Sequence, residues 1–278
     1  MINNLLHLKP VPLDRDTHRT LRVRLPVTDW SPAARLNALF VAAVEMADAC
    51  REFPIVFVRA GNDEAGKPLT APVAVFGLAQ DENLFVQPDG SWRGHYQPAV
   101  LRLYPFASGR IDADRFAICV DTSYAGLGPA EGEALFQPDG QPTALTSEML
   151  MQIERIEQET QRTRVFCQRL QELDLLREMR FDATLPDGQK LAVDGFLVVD
   201  EGRVKALPDA TLLELHKSGV LGLIHAHWIS LQNMRRLVEW RVARLQADAA
   251  KSQASASAAA PPPVHRRRKS HVRQPPAG

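Results

Sequence analysis

Cysteine, long apolar runs and the common nucleotide and nucleophile motifs are what this chain has least of. Its 278 residues include three cysteines, Cys50, Cys119 and Cys167, far apart and with no CxxC pair. An odd, sparse set in apolar surroundings excludes a disulfide framework and reads as reduced core cysteine. A bilayer-spanning helix needs roughly 20 mostly apolar residues. The longest charge-free segment of the body, 218–234, is 17 residues long and includes two histidines, serine, glutamine and asparagine. The N-terminal stretch MINNLLHLKPVPLDRD lacks a basic region and meets Pro10 and Pro12 before any usable apolar segment, which argues against a cleaved signal peptide. A soluble, cytoplasmic protein without a membrane span is expected.

Chemistry-bearing motifs are equally scarce. There is no GxSxG elbow, and Ser123 in DTSYAGLG lacks that frame. Neither GxGxxG nor GxxxxGK[ST] occurs, so no phosphate cradle is indicated, and the GLG at 126–128 supplies turn flexibility. Zinc on a helix wants histidines four apart with a third ligand, as in HExxH, and a facial iron triad wants a His-x-Asp/Glu pair with a later His; both are missing. No metal or cofactor is expected from these patterns, and they identify no catalytic residue.

What is present is an ordinary globular composition, 45% hydrophobic and 24% charged, enough for one large domain or two small ones. The zero net charge hides an asymmetry. Six of the 33 basic residues lie in 251–278, where there is no acid, leaving 27 against 33 acids in the body. A basic tail can hold nucleic acid or an anionic membrane, but a few neutralised phosphates give only weak, salt-sensitive binding. A solubilising extension is the preferred reading, with no specific nucleic-acid partner.

Along the chain, 31–52 reads as a helix, with Ser31 as N-cap, Pro32 at the first position and Leu36, Leu39, Phe40, Ala43, Val44 and Ala47 at helical spacing. Apolar runs at 55–58, 73–78 and 115–120 read as strands. Pro-Asp-Gly triplets at 88–90, 138–140 and 186–188 are hairpin turns, the third between FDATL and the KLAV and GFLVV runs. Between 145 and 176 Met149, Ile153, Ile156, Thr160, Thr163, Cys167 and Leu170 form a heptad-like seam, weakened by its two threonines into a helix packed on its own domain. A short helix at 209–218 ends at Gly219, and a long one runs over 220–245. Beyond it, SQASASAAAPPP is a compositional break followed by HRRRKSHVR. The fold class is therefore α+β, a mixed or antiparallel sheet with hairpins first and long helices later. One domain is expected over 1–247 (β-rich 1–143, helix-rich 144–247), with a disordered Ala/Ser/Pro linker and basic tail over 248–278.

Several blocks together resemble one family. PVPLDRDTHRTLRV (10–23), REFPIVFVR (51–59), LYPF (103–106), EGEALFQPDGQPT (131–143), DGFLVVDE (194–201) and GLIHAHWISLQNMRRL (222–237) resemble the bacterial SapC family. That family takes its name from a surface-layer locus and is unrelated to the peptide-transport permease of the same name. The resemblance implies a surface-layer or envelope association and carries over no reaction, cofactor or catalytic residue.

Two groups of residues are candidate sites. His216, His225 and His227 lie within twelve residues, but His225 and His227 are about 200° apart on a helix and cannot share one metal. Half-buried packing imidazoles beside Ile224 and Trp228 are the preferred reading; an enzyme site built from these histidines with Asp200 or Glu201 is the alternative. In SWRGHYQPAVLRLYPF (91–106), Trp92, His95, Tyr96, Tyr104 and Phe106 are interleaved with Arg93 and Arg102, the residue types of binding hot spots, although a core-flanking helix with snorkelling arginines is the preferred reading of the segment. The expectation is a non-catalytic binding or accessory factor. Its candidate face is Trp92, Tyr96, Arg102, Tyr104, Phe106, His225, His227 and Trp228, and its partner a protein or small molecule.

Overall fold

Short β-branched and aromatic runs, cut by proline and glycine, give the first half its strands: β1 (Pro10–Pro12), β2 (Arg22–Val23), β3 (Ala38–Phe40), β4 (Ile55–Asn62), β5 (Pro68–Val75), β6 (Phe106–Arg110), β7 (Phe116–Asp121), β8 (Leu127–Gly128) and β9 (Glu133–Ala134). The helices of this half are single turns, α1 (Met46–Ala49) and α2 (Ala99–Arg102). The second half holds α3 (Ala144–Glu172), the hairpin β10 (Leu176–Thr184) and β11 (Lys190–Val199), then α4 (Glu201–Lys205), α5 (Asp209–Lys217), α6 (Val220–Ser230) and α7 (Asn233–Ala259). The computed structural model describes residues 1–259 apart from 64, 111–115, 186, 187 and 189, with side chains to residue 253. The chain divides into two units, Met1–Arg241 and Val242–Gly278. Of the second, only the end of α7 is described, and the expected linker and basic run beyond 259 lie outside the described residues. α7 continues through the alanine-rich 248–259, as alanine's helix propensity favours.

The class is α+β, with hairpins in the first half and helices later. All strand pairings among the described residues are antiparallel, in three sheets ordered β1-β7-β6, β10-β11-β4-β5-β3 and β8-β2-β9. The first two Pro-Asp-Gly turns close small hairpins bridged at Val86–Trp92 and Phe136–Pro142. They share one geometry: Gln87 N–H donates to Ser91 O at 2.9 Å and Gln137 N–H to Gln141 O at 2.7 Å, with Gly90 and Gly140 at φ 81° and 84°. The third joins β10 to β11, paired from Thr184↔Lys190; Pro186 and Asp187 themselves lie outside the described residues.

Along α3 the expected seam faces inward, with Ile153, Ile156, Thr160, Thr163, Cys167 and Leu170 all buried. The helix runs across β5 and reaches β6. Of its two central threonines, Thr160 bonds back to Ile156 O within the helix and Thr163 anchors a neighbouring turn. The Thr163 hydroxyl, 1% exposed, accepts Ala43 N–H at 2.8 Å and donates to Glu159 O at 2.7 Å. That bond satisfies the first amide of a 3-10 turn at Ala43–Glu45, where no intrahelical acceptor exists.

Two expected helices are not as read. The 31–52 segment contains a 3-10 turn at Ser31–Ala33, strand β3, the turn at Ala43–Glu45 and α1. Tertiary pairing overrides local periodicity here: β3 becomes an edge strand on β5, and Asn37 O accepts the amides of Phe76 and Gly77. Val44, expected in the apolar stripe, is 61% exposed. The final helix breaks at Leu231–Gln232, where amides bond three residues back (Leu231 N–H to Trp228 O, Gln232 N–H to Ile229 O). On either side of the break, Ser230 and Asn233 turn their side chains to other backbone: Ser230 Oγ accepts Ile55 N–H, and Asn233 Nδ2 donates to Cys50 O and Phe53 O. The apolar core gathers Phe53, Phe57, Phe76 and Phe85 with Leu84 and Leu101. No helix among the described residues is long and apolar enough to cross a membrane.

Polar anchoring recurs at the N-terminal end. Asp121, fully buried, accepts Leu8 N–H, Lys9 N–H, Ser123 N–H and the Ser123 hydroxyl at 2.7–3.0 Å. Burial alone would raise its carboxyl, but these donors outweigh it and hold the group below the usual range. Thr163→Val keeps the shape and orphans the Ala43 amide. Urea unfolding of that variant is expected to show a loss of about 1–3 kcal/mol with an unchanged m-value.

Candidate functional site

The two expected groups of residues fall in four different environments. Trp92 and Tyr96, half-buried against the core, and the exposed Arg102 form a cluster whose loop is pinned by two carboxylates. Glu52 accepts His95 N–H at 2.9 Å and Tyr96 N–H at 3.1 Å. Glu45 accepts the Tyr96 hydroxyl at 2.7 Å, Ala99 N–H at 2.6 Å and Ala42 N–H at 3.1 Å. Burial and the bond to Glu45 raise the Tyr96 phenol, which stays protonated as the donor. Gly94 permits the close approach, because a Cβ there would lie 2.5 Å from Glu52 Oε2. Above this base the Arg102 guanidinium sits 5.5 Å from the Tyr96 ring centre, and Trp92 Nε1–H donates to Tyr96 O.

Tyr104 and Phe106 are each 1% exposed and belong to the core, so neither presents a binding surface. The Tyr104 ring packs among His7, Trp30 and Tyr124. Its hydroxyl, raised by burial and then by the Asp121 charge, has no well-formed hydrogen bond.

The final helices meet the aromatic segment through a residue the sequence reading passed over. Trp240 on α7 sets its ring edge-on to Phe85, 5.1 Å between centres, and Phe85 stacks on Trp92 at 5.3 Å and 22°. Arg93 lies 4.5 Å over the Trp240 ring and Arg236 lies 5.9 Å from it. A half-buried ion pair, Arg241–Glu82 at 2.9 Å, ties α7 to the same loop. The four-residue spacing of Arg236 and Trp240 is a helical-face signal visible in the sequence; what it stacks on is not.

Trp228, His225 and His227 are held elsewhere. β11 pairs with β4 at Leu197↔Phe57, and extending that register sets Val199 opposite Ile55. These two residues do not bond each other; α6 side chains take their place. Val199 N–H donates to His227 Nε2 at 3.1 Å, and His227 Nδ1–H donates to Ile55 O at 2.8 Å. Ser230 Oγ accepts Ile55 N–H at 2.9 Å, and Trp228 Nε1–H donates to Val199 O at 2.8 Å. All four backbone groups of the missing rung are thus satisfied by one turn of helix. A carbonyl only accepts and an amide only donates, so His227 is the neutral Nδ1–H tautomer. Burial pushes its pKa down to about 4.

His225 is exposed, its Nδ1 2.7 Å from Leu221 O and its ring edge-on to Trp228. His216 is exposed on α5. Asp200 caps α4 through Arg203 N–H and pairs with Arg177 Nε at 3.0 Å; Glu201 pairs with Lys205. These carboxylates bond Arg177, Arg203 and Lys205, while His225 and His227 bond backbone. No group of three His, Cys, Asp or Glu side chains among the described residues is placed to hold a metal ion. The cysteines are buried and unpaired, and burial pushes the Cys167 thiol up to about 12, away from thiolate chemistry.

Concavities also mark the surface. One of about 710 Å³ lies between β6 and α3, lined by Ser108, Arg110, Glu154, Glu157 and Arg164. Another, about 420 Å³, opens at the base of the β10–β11 hairpin beside Trp228.

A family model, SapC, matches residues 13–237, and the chain belongs to the SapC family. No curated protein and no solved structure matches it. The match includes the His227–Ser230 turn, whose contribution can be read by pH. The folded-state pKa is depressed from 6.5 to about 4. The stabilisation is therefore complete above pH 6.5 and is lost as pH falls through about 4, a decline on the order of 3 kcal/mol. His227→Ala leaves two buried backbone groups unpaired, at about 1–3 kcal/mol each. Urea titrations between pH 7.5 and 4 are expected to show the variant less stable at neutral pH and less pH-dependent, the two curves converging toward pH 4.

Proposed function

We propose that this SapC-family chain is a non-catalytic binding or accessory factor serving a surface-layer or envelope function, and that it engages its partner through the arginine–aromatic face of Trp92, Arg93, Tyr96, Arg102, Arg236 and Trp240. The family supports the setting; the face rests on the chain's own geometry. The observation that carries it is the stacking of Arg93 and Arg236 on Trp240 and of Arg102 on Tyr96. A guanidinium lying on an aromatic ring is already ordered, so less side-chain entropy is lost when its N–H groups meet a carboxylate. Tyr, Trp and Arg around a pinned loop are also the composition of interface hot spots. Glu45 and Glu52 hold the loop from below and make the face preorganised, which lowers the cost of association. The partner that fits is a protein surface bearing exposed carboxylates.

A photo-crosslinking amino acid placed at Arg102 or Arg236 in producing cells tests the face. Discrete adducts are expected from both positions, none from the exposed Lys217 on α5, and a strong decrease when Trp240→Ala is added. Absence of adducts from both positions, or equal adducts from Lys217, would rule the face out.

A further inference from the structure

The cavity at the base of the β10–β11 hairpin is separate from that face and has its own chemistry. It exists because the sheet opens at Val199, where α6 supplies the missing rung. The Trp228 indole, fixed by its bond to Val199 O and by the edge of His225, stands as one wall. Met179 and Leu231 continue the apolar surface, and Arg177, Asp200 and Glu201 stand at the polar side. Its volume of about 420 Å³ falls within the roughly 300–1,000 Å³ of small-molecule sites.

The charges at this mouth are already matched. Arg177 Nε pairs with Asp200 Oδ2 at 3.0 Å, and Glu201 pairs with Lys205 at 3.5 Å. Asp200 is also held by Arg203 N–H and stays ionised, its carboxyl lowered chiefly by that bond. An ionic ligand would have to compete with these pairs. A neutral ligand would not: Arg177 has five N–H donors, more than one carboxylate pairing uses, and Glu201 carries more acceptor positions than its pair with Lys205 takes. Directional donors and acceptors of balanced charge, beside a rigid indole face and a thioether, suit a neutral polyol with one apolar face. A pyranose ring is such a molecule, its axial C–H groups lying on the indole and its hydroxyls bonding guanidinium and carboxylate.

We propose that this cavity is a carbohydrate-binding site for a neutral sugar residue, with Trp228 as the stacking platform and Arg177 and Glu201 as hydroxyl-recognising groups. The site goes beyond the protein-binding face and stands or falls independently of it. The full chain is titrated, by calorimetry and ligand-observed NMR, with neutral hexoses, N-acetylhexosamines and their disaccharides, and with lysine and inorganic phosphate as charged probes. Saturable binding of at least one neutral sugar is expected, weakened about tenfold or more by Arg177→Ala or Glu201→Ala and lost in Trp228→Ala. Both charged side chains are exposed, so these two variants report on the site even if loss of the Trp228–Val199 bond unfolds the third; thermal melts identify that case. No saturation by any neutral sugar overturns the proposal, as does affinity unchanged in both Arg177→Ala and Glu201→Ala, or preferential binding of lysine or phosphate.

Discussion

A hydrogen-bonded sheet cannot end against another strand without satisfying the last amides and carbonyls, and here that constraint falls on Ile55 and Val199. Side chains of α6 meet it: His227 bridges amide to carbonyl across the gap, with Ser230 and Trp228 taking the remaining two groups. Because the imidazole accepts at one nitrogen and donates at the other, one residue spans what a strand pair would otherwise close directly. Much of the second half follows from this junction. It docks α6 on β4 and β11, lets the β10–β11 hairpin diverge from the sheet, and stands Trp228 at the mouth of the cavity that results.

The same device recurs wherever short elements meet. Thr163 of α3 accepts the first amide of the Ala43–Glu45 turn, Asn233 donates to two carbonyls next to α1, Asp121 gathers the segment before β1, and Glu45 and Glu52 hold the aromatic loop. Two- and three-residue strands leave many backbone groups without ladder partners, and a buried unpaired group costs about 1–3 kcal/mol. Polar side chains in the interior answer that demand. A histidine, serine or threonine in an apolar context of this chain therefore indicates an architectural joint as readily as a reactive site.

Function occupies what the joints leave at the surface. Within the aromatic segment Tyr104 and Phe106 are wholly buried with the phenylalanine core, while Trp92 and Tyr96 flank it half-buried, Arg102 is exposed, and Trp240, Arg93 and Arg236 adjoin them. Stacking on an aromatic ring orders the Arg102 and Arg236 guanidinium groups, which suits them to binding. At the hairpin base the charged residues neutralise one another and leave shape and hydrogen-bond direction as the means of recognition.

By itself the sequence determined the class and the family. Alternation with turn residues, a seven-residue seam and Gly219 after α5 are local patterns, and β4, α3, the β10–β11 hairpin and α5 could be read from them because each buries the face its own period displays. The ordered blocks from PVPLDRD to LQNMRRL likewise needed no coordinates. Other features required the folded chain. The 31–52 segment shows helical spacing, yet Asn37 and β3 find a better partner in β5, an interaction across more than thirty residues that no local window contains. His225 and His227 look alike in sequence and differ completely in the fold, one on the surface and one wholly buried between two strands. Trp240 lies far from Phe85 along the chain and against it in space. Periodicity records which face of an element is apolar; only tertiary structure decides what that face meets and which polar groups are left needing a partner.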